Sequence, residues 1–266
     1  MSVPHRYVFV GGLHRSGTSL VARLLEEHAG ISGIQGAPVP ENEGCYLQGA
    51  IPHTARHGIP CHFATDPDQH LVEGCAFDTL AVRERLEADW AAWFDAAKPW
   101  RVEKSPINLT RMRLYQALFP LSQFIVVVRR PEFVAAAIRK WTDMGDDAVM
   151  RHWAEAHSIV EADLTYIHRW LLVRYEDLVR NPVRERERMF DFLGLPVCPS
   201  ALAIRDGNDR YRSTVSDAAS DGKPFGYGPR AVAGRHVLRT VNEKLHFGSS
   251  EAHAAGLPSA DCSRDR

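Results

Sequence analysis

The sequence predicts an α/β fold: a central parallel β-sheet covered by helices on both faces, three layers in one domain. Three observations carry that expectation. Short β-branched and aromatic runs alternate along the chain with amphipathic or helix-capped segments, the pattern of repeated strand–helix units. The run Phe124-Ile125-Val126-Val127-Val128 is apolar without a break, as a central strand covered on both faces requires. The first run ends in a glycine loop that opens directly into a helix.

Tyr7–Val10 is the first expected strand, and Thr18–His28 a helix with Leu20, Leu24 and Leu25 on its buried stripe. Residues 30–78 hold much of the Gly, Pro and His and show no clear period, so they read as a long functional loop region. Asp78 or Thr79 can cap a helix running to about Ala97, with Leu80, Leu86, Trp90 and Phe94 apolar. Arg101–Glu103 is a short strand ending in Lys104-Ser105-Pro106, after which Asn108 caps a helix that Pro120 closes beyond Phe119. Beyond Phe124–Val128, Pro131 opens the helix Glu132–Trp141, and a longer helix covers about Asp146 to Ile167. Trp170–Arg174 is a further strand, and Val183–Leu193 a helix stopped by Gly194 and Pro196. Gly12, Lys104, Arg129 and Tyr175 all fall just past expected strands, on the sheet edge where such folds bind ligands.

The 266 residues, 45% hydrophobic and 24% charged, fit one domain with a sizeable core, expected over residues 1–248 with a disordered small and polar tail over 249–266. A net charge of −1 gives no global field toward nucleic acid or an anionic membrane, so neither is an expected partner. No apolar run approaches the roughly 20 residues of a bilayer span, and no secretory h-region opens the chain. The five cysteines, Cys45, Cys61, Cys75, Cys198 and Cys262, are odd in number and without C-x-x-C spacing, as for free thiols in a reducing compartment. The expected setting is the cytoplasm, in a protein of bacterial type. Oligomeric state is left open.

Chemistry is concentrated in Val8–Ser19. The spacing Gly12-x4-Gly17-Thr18-Ser19 is that of a phosphate-binding loop whose amides and following helix dipole converge on an anion. Thr18 stands where a nucleoside-triphosphatase has its lysine, and Arg15 supplies a cation inside the loop. A different activated anion is implied.

The segment Gly12-Leu13-His14-Arg15-Ser16-Gly17-Thr18-Ser19 resembles the 5′-phosphosulfate loop of sulfotransferases that use 3′-phosphoadenylyl sulfate (PAPS). Arg129 and Pro131, after their strand, match that family's 3′-phosphate segment, but its serine falls here on Ala137. Arg130, Arg139 or a later loop arginine is the expected substitute. Tyr175-Glu176-Asp177-Leu178 looks like the family segment whose tyrosine lies beside the adenine, with Glu176 and Asp177 read as helix-dipole partners. Lys104-Ser105-Pro106 matches the lysine of the strand-end motif without the catalytic histidine of the cytosolic animal enzymes, as in bacterial and tyrosylprotein-type relatives.

The resemblance covers residues 6–196 and implies a P-loop NTPase-like sulfotransferase fold. It also implies PAPS as co-substrate without a metal, and sulfonate transfer to a hydroxyl, or as second choice an amine, of a small molecule or glycan. His14, Arg15, Ser16, Gly17, Thr18, Ser19, Arg129 and Tyr175 become the nucleotide-binding set. Arg15 and Lys104 become charge-stabilising catalytic groups. A base must then come from residues 38–57: Glu43 is the first choice, with Glu41 and His53 behind it.

Arg210, Arg212 and Arg230 are candidates to reach the nucleotide from a later flap. His53, His57, His62 and His70 lack metal-ligand geometry and read as solvated loop residues. The acceptor pocket is expected among residues 34–75 and the helices after 145, where Trp141, Trp153 and Phe63 are candidate lining residues or core. Two alternatives stand beside this reading: a kinase or NTPase with a degenerate phosphate loop, and a non-catalytic binding protein of the same fold.

Overall fold

The computed structural model describes residues 5–53, 59–215, 225, 227 and 238–239. The sheet has the order β2-β3-β1-β4-β5-β6, with β1 (Arg6–Gly11), β2 (Ile31–Gly33), β3 (Trp100–Lys104), β4 (Gln123–Val128) and β5 (Trp170–Arg174) all parallel. The two-residue β6 (Leu238–Arg239) runs antiparallel to β5. The five parallel strands meet the expectation drawn from the strand–helix alternation.

The pleat divides the core in two. Tyr7, Phe9, Phe124, Val126 and Val128 face one side, while Val8, Val10, Ile125 and Val127 face the other. On the second side lie α1 (Thr18–Glu26), α6 (Tyr175–Arg180) and α7 (Pro182–Leu193), burying Val21, Leu24, Leu178 and Phe190. The first side is covered by α2 (Leu80–Ala91), α3 (Met112–Leu118) and α5 (Asp146–Leu164), through Trp90, Tyr115 and Trp153. The short α4 (Pro131–Ile138) follows β4 and packs on α5.

Several elements differ from the expectation. β2, Ile-Ser-Gly, is too short to show a period and lies inside the supposed loop region. α2 stops at Ala91, with Thr79 as the cap and Leu80 exposed, so its buried stripe is Leu86 and Trp90. In α1, Val21 rather than Leu20 joins Leu24 and Leu25 in the core. Asn108 caps no helix: it sits inside a 3₁₀ turn, Pro106–Thr110, and its amide donates to Val10 O and Glu103 Oε2 at 3.1 and 2.6 Å. β1 and β3 present their ends to this side chain, and satisfying them outweighs capping. His57, Arg230, Cys262 and the expected tail over 249–266 lie outside the described residues. Among the described residues, no helix is long and apolar enough to cross a membrane.

Candidate active site

Strand register brings the motifs together. Val10 pairs with Lys104 and Gly11 with Val126, while Val128 pairs with Arg174, so the chain leaves β1, β3, β4 and β5 along one edge of the sheet. The order β2-β3-β1-β4 places the reversal of strand order at β1, and a cleft of about 680 Å³ opens there. Its walls include His14, Arg15, Gly17, Thr18, Ser19, Glu41, Glu43, Arg129 and Tyr175.

The loop after β1 is held by close packing. A Cβ on Gly12 would stand 2.5 Å from both Val127 O and Ser16 Oγ. Gly17 has φ +106°, and a Cβ there would meet the Tyr175 ring at 2.7 Å. Arg15 also adopts a left-handed conformation, φ 68°. The amides of Gly17, Thr18 and Ser19 open α1 without intrahelical acceptors, the arrangement that suits an anion. Two buried polar atoms beside it, Ser16 Oγ and Arg129 Nη2, have no protein partner among the described residues.

Arg129 leaves β4 with its guanidinium 4.6 Å from the Tyr175 ring centroid and Nη1 donating to Arg15 O at 2.8 Å. Tyr175 accepts from Gly207 N at 2.6 Å, tying the segment 205–211 over this side of the cleft. Arg205 and Arg210 from that segment line the cleft. Arg212 instead pairs with Asp206 and Asp209, Arg130 with Glu132 and Arg139 with Asp146. Ala137 is buried and offers no polar group.

Glu43 lines the same cleft. Lys104 Nζ lies 3.2 Å from Glu43 Oε1 and donates to Glu41 O at 2.9 Å. Burial pushes the Glu43 carboxyl up to about 7, against the downward pull of Lys104. Glu41 also lines the cleft, at φ 51°, and accepts from Ser19 Oγ. His53 packs edge-on against Tyr46, and burial and then Arg111 hold its imidazole down to about 4. His14 is likewise pushed to about 4 by burial, with Nδ1 3.2 Å from Cys61 Sγ, so it enters the cleft as a neutral ring.

The histidines read as solvated are partly built into the fold. His62 is buried near Asp66, and His70 Nε2 lies 2.6 Å from Asp163. Trp153 and Phe63 are core, whereas Trp141 is 42% exposed and lines the cleft beside Arg15. Cys45, Cys61, Cys75 and Cys198 are free thiols.

With this edge assembled, the family follows. Residues 7–199 match the model of the Sulfotransferase family. The chain belongs to that family.

Sulfonate transfer is therefore its general chemistry. Among solved structures, sulfotransferase STF1 from Mycobacterium tuberculosis H37Rv is 17% identical, covering 74% of this chain and 69% of that one with a TM-score of 0.48. A sulfotransferase from Alicyclobacillus acidocaldarius is 16% identical over 77% of this chain and 88% of its own, TM-score 0.46. Mouse sulfotransferase SULT7A1, complexed with PAP, is 13% identical over 75% and 62%, TM-score 0.41.

Four groups of this sulfotransferase escaped the sequence. Glu103 is fully buried and accepts from Gly44 N, Ser105 Oγ and Asn108 Nδ2, fixing the loop that carries Glu43. Glu176, read as a dipole partner alone, accepts from Arg130 N and Asn208 Nδ2 and from the Tyr227 hydroxyl. Asn208 itself carries no motif. Glu103 precedes a recognised lysine, so the strand-end signal was there. Asn208 and Tyr227 had none.

Proposed function

We propose that this sulfotransferase moves the sulfonate of PAPS to an acceptor hydroxyl and releases adenosine 3′,5′-bisphosphate. The observation that carries the reading is one cleft lined both by the glycine loop and by Glu43, with the buried Lys104 paired to that carboxylate. An activated anion and a base of near-neutral pKa are the two requirements of the reaction.

In the proposed step the acceptor oxygen attacks sulfur in line. The new O–S bond forms as the bond from sulfur to the bridging phosphate oxygen breaks. The acceptor proton passes to Glu43, and the negative charge leaves on the 5′-phosphate. His14, Arg15, Ser16, Gly17, Thr18 and Ser19 are proposed to hold the phosphosulfate through loop amides, hydroxyls and the Arg15 cation. Arg129, with a free buried N–H, suits a second phosphate, and Tyr175 stands beside it for the nucleoside. Once Glu43 takes the proton, Lys104 loses its counter-charge and its ammonium compensates the charge developing on the sulfonate.

Titration calorimetry of adenosine 3′,5′-bisphosphate and ADP, each with and without Mg²⁺, tests the reading. Micromolar, metal-independent binding of the bisphosphate with weak ADP binding supports it. Tight, Mg²⁺-dependent ADP binding without the bisphosphate overturns it in favour of a kinase-like enzyme.

A further inference from the structure

Arg129 is placed by partners that no motif announces. Its Nε donates to Asn208 Oδ1 at 2.7 Å, and the same amide gives Nδ2 to Glu176 Oε1 at 3.2 Å. The amide orientation is fixed by chemistry, since the guanidinium only donates and the carboxylate only accepts. Asn208 is 2% exposed, and its own backbone is tied: N–H to Asp206 Oδ1 and C=O to Tyr211 N. Glu176 is held in turn by Arg130 N, so the bridge runs from the end of β4 through α6 to the segment 205–211.

The outcome for the guanidinium is specific. Nε is taken by Asn208 and Nη1 by Arg15 O, while Nη2, on a side chain that lines the cleft, is buried without a protein partner among the described residues. A buried N–H of a charged group is costly to leave unpaired, so its retention calls for an external acceptor. α4 supplies no hydroxyl here, because position 137 is alanine.

We propose that Asn208, bridged to Glu176, is the positioning residue that sets Arg129 for the nucleotide's 3′-phosphate, and so determines preference for 3′-phosphorylated adenosine nucleotides. This rests on the PAPS reading above. Asn208 does not itself touch the ligand. It holds the arginine fork in one orientation, and a planar fork recognises phosphate only in the correct orientation. Its removal frees the guanidinium to rotate and leaves Glu176 to compete for it.

The test is the ratio of dissociation constants for adenosine 5′-monophosphate and adenosine 3′,5′-bisphosphate, by calorimetry. Asn208→Ala is expected to lower this preference about tenfold, mostly by weakening the bisphosphate. Asn208→Asp keeps an acceptor for Arg129 but places a charge beside Glu176 and partly neutralises the fork, so the preference falls at least as far. In an Arg129→Lys background, Asn208→Ala is expected to change the ratio by less than about twofold, because the two residues act as a unit. Thermal unfolding of each variant separates this from loss of fold, which would weaken both nucleotides together.

A wild-type protein that prefers the bisphosphate, with the preference intact in both Asn208 variants, overturns the assignment of Asn208 alone. A loss from Asn208→Ala that is equally large without Arg129 overturns it too. A wild-type protein with no preference overturns the PAPS reading and this inference with it.

Discussion

Lys104 Nζ lies 3.2 Å from Glu43 Oε1, with the two side chains only 7% and 10% exposed. Burial and the ammonium act on the carboxyl in opposite directions, and burial wins, leaving Glu43 at about 7. A carboxyl in that range can accept a proton at neutral pH and is a stronger base than a solvated one.

Replacing the base is the direct check. Glu43→Gln is expected to lower kcat by roughly 10²- to 10⁴-fold, the usual worth of general-base catalysis. Bisphosphate affinity, read by calorimetry, should be retained, since the Glu43 carboxylate is bonded to Lys104 rather than to the glycine loop. Full turnover in Glu43→Gln removes it as the base and returns Glu41 or His53 to consideration.

The same group sets two pH dependences. Activity should rise as pH passes through about 7, where Glu43 loses its proton. Lys104→Ala removes a contact that lowers the carboxyl pKa, so the rising limb of kcat/KM should move to higher pH. A limb that stays in place or moves to lower pH contradicts the pairing. For stability the sign is the reverse of a salt-bridged acid. The folded state holds this proton more tightly than the unfolded chain between the ordinary value of 4.5 and about 7. Stability therefore falls as pH rises through that window, by up to about 3 kcal/mol from this group. Unfolding temperatures at pH 5 and 7.5 should differ less in Glu43→Gln than in the wild type.

The sequence and the structure agree where local chemistry is strong. The apolar run of β4, the glycine loop after β1 and the Gly194 stop of α7 are all short-range signals, and each stands where expected. Glu43 was legible as one acid among three candidates, because only folding reveals that it alone is paired with Lys104 in a buried wall. β2 was illegible since three residues carry no period. Asn108 misled because asparagine before an apolar stretch reads as a cap, whereas here long-range bonds to Val10 and Glu103 claim its amide. Asn208 depends on its contact with Arg129, distant in sequence, and no local pattern encodes it, whereas Glu103 stands in the strand-end motif and only its bond to Gly44 is long-range.

The loop leaves no room for a methyl group. Gly17→Ala must place a Cβ at φ +106° and 2.7 Å from the Tyr175 ring, and Gly12→Ala must place one 2.5 Å from the Val127 carbonyl. Left-handed strain alone costs roughly 1–3 kcal/mol, and a backbone carbonyl cannot move aside without disturbing β4. Both variants should lose at least about tenfold in bisphosphate affinity, since a shifted loop no longer aims its amides. Unchanged binding in either would show that the anion site lies elsewhere.

Glu103 offers a way to move the base without touching it. This carboxyl is sealed from solvent, pushed up by burial, and accepts from Gly44 N at 2.9 Å as well as from Ser105 and Asn108. Gly44 follows Glu43 directly, and Trp90 Nε1 donates to Gly44 O at 2.9 Å on the other side of the same peptide segment. Glu103→Ala leaves those donors buried without an acceptor and opens a gap behind the loop, a loss of about 2–4 kcal/mol. For a chain of this size that lowers the unfolding temperature by roughly 4–12 °C. Glu103→Gln keeps an acceptor for Gly44 and should cost less. In both, kcat should fall while bisphosphate affinity holds, because the displaced segment carries Glu43 and not the glycine loop. Equal losses in kcat and in nucleotide binding would mean that the substitution disturbs the sheet edge as a whole.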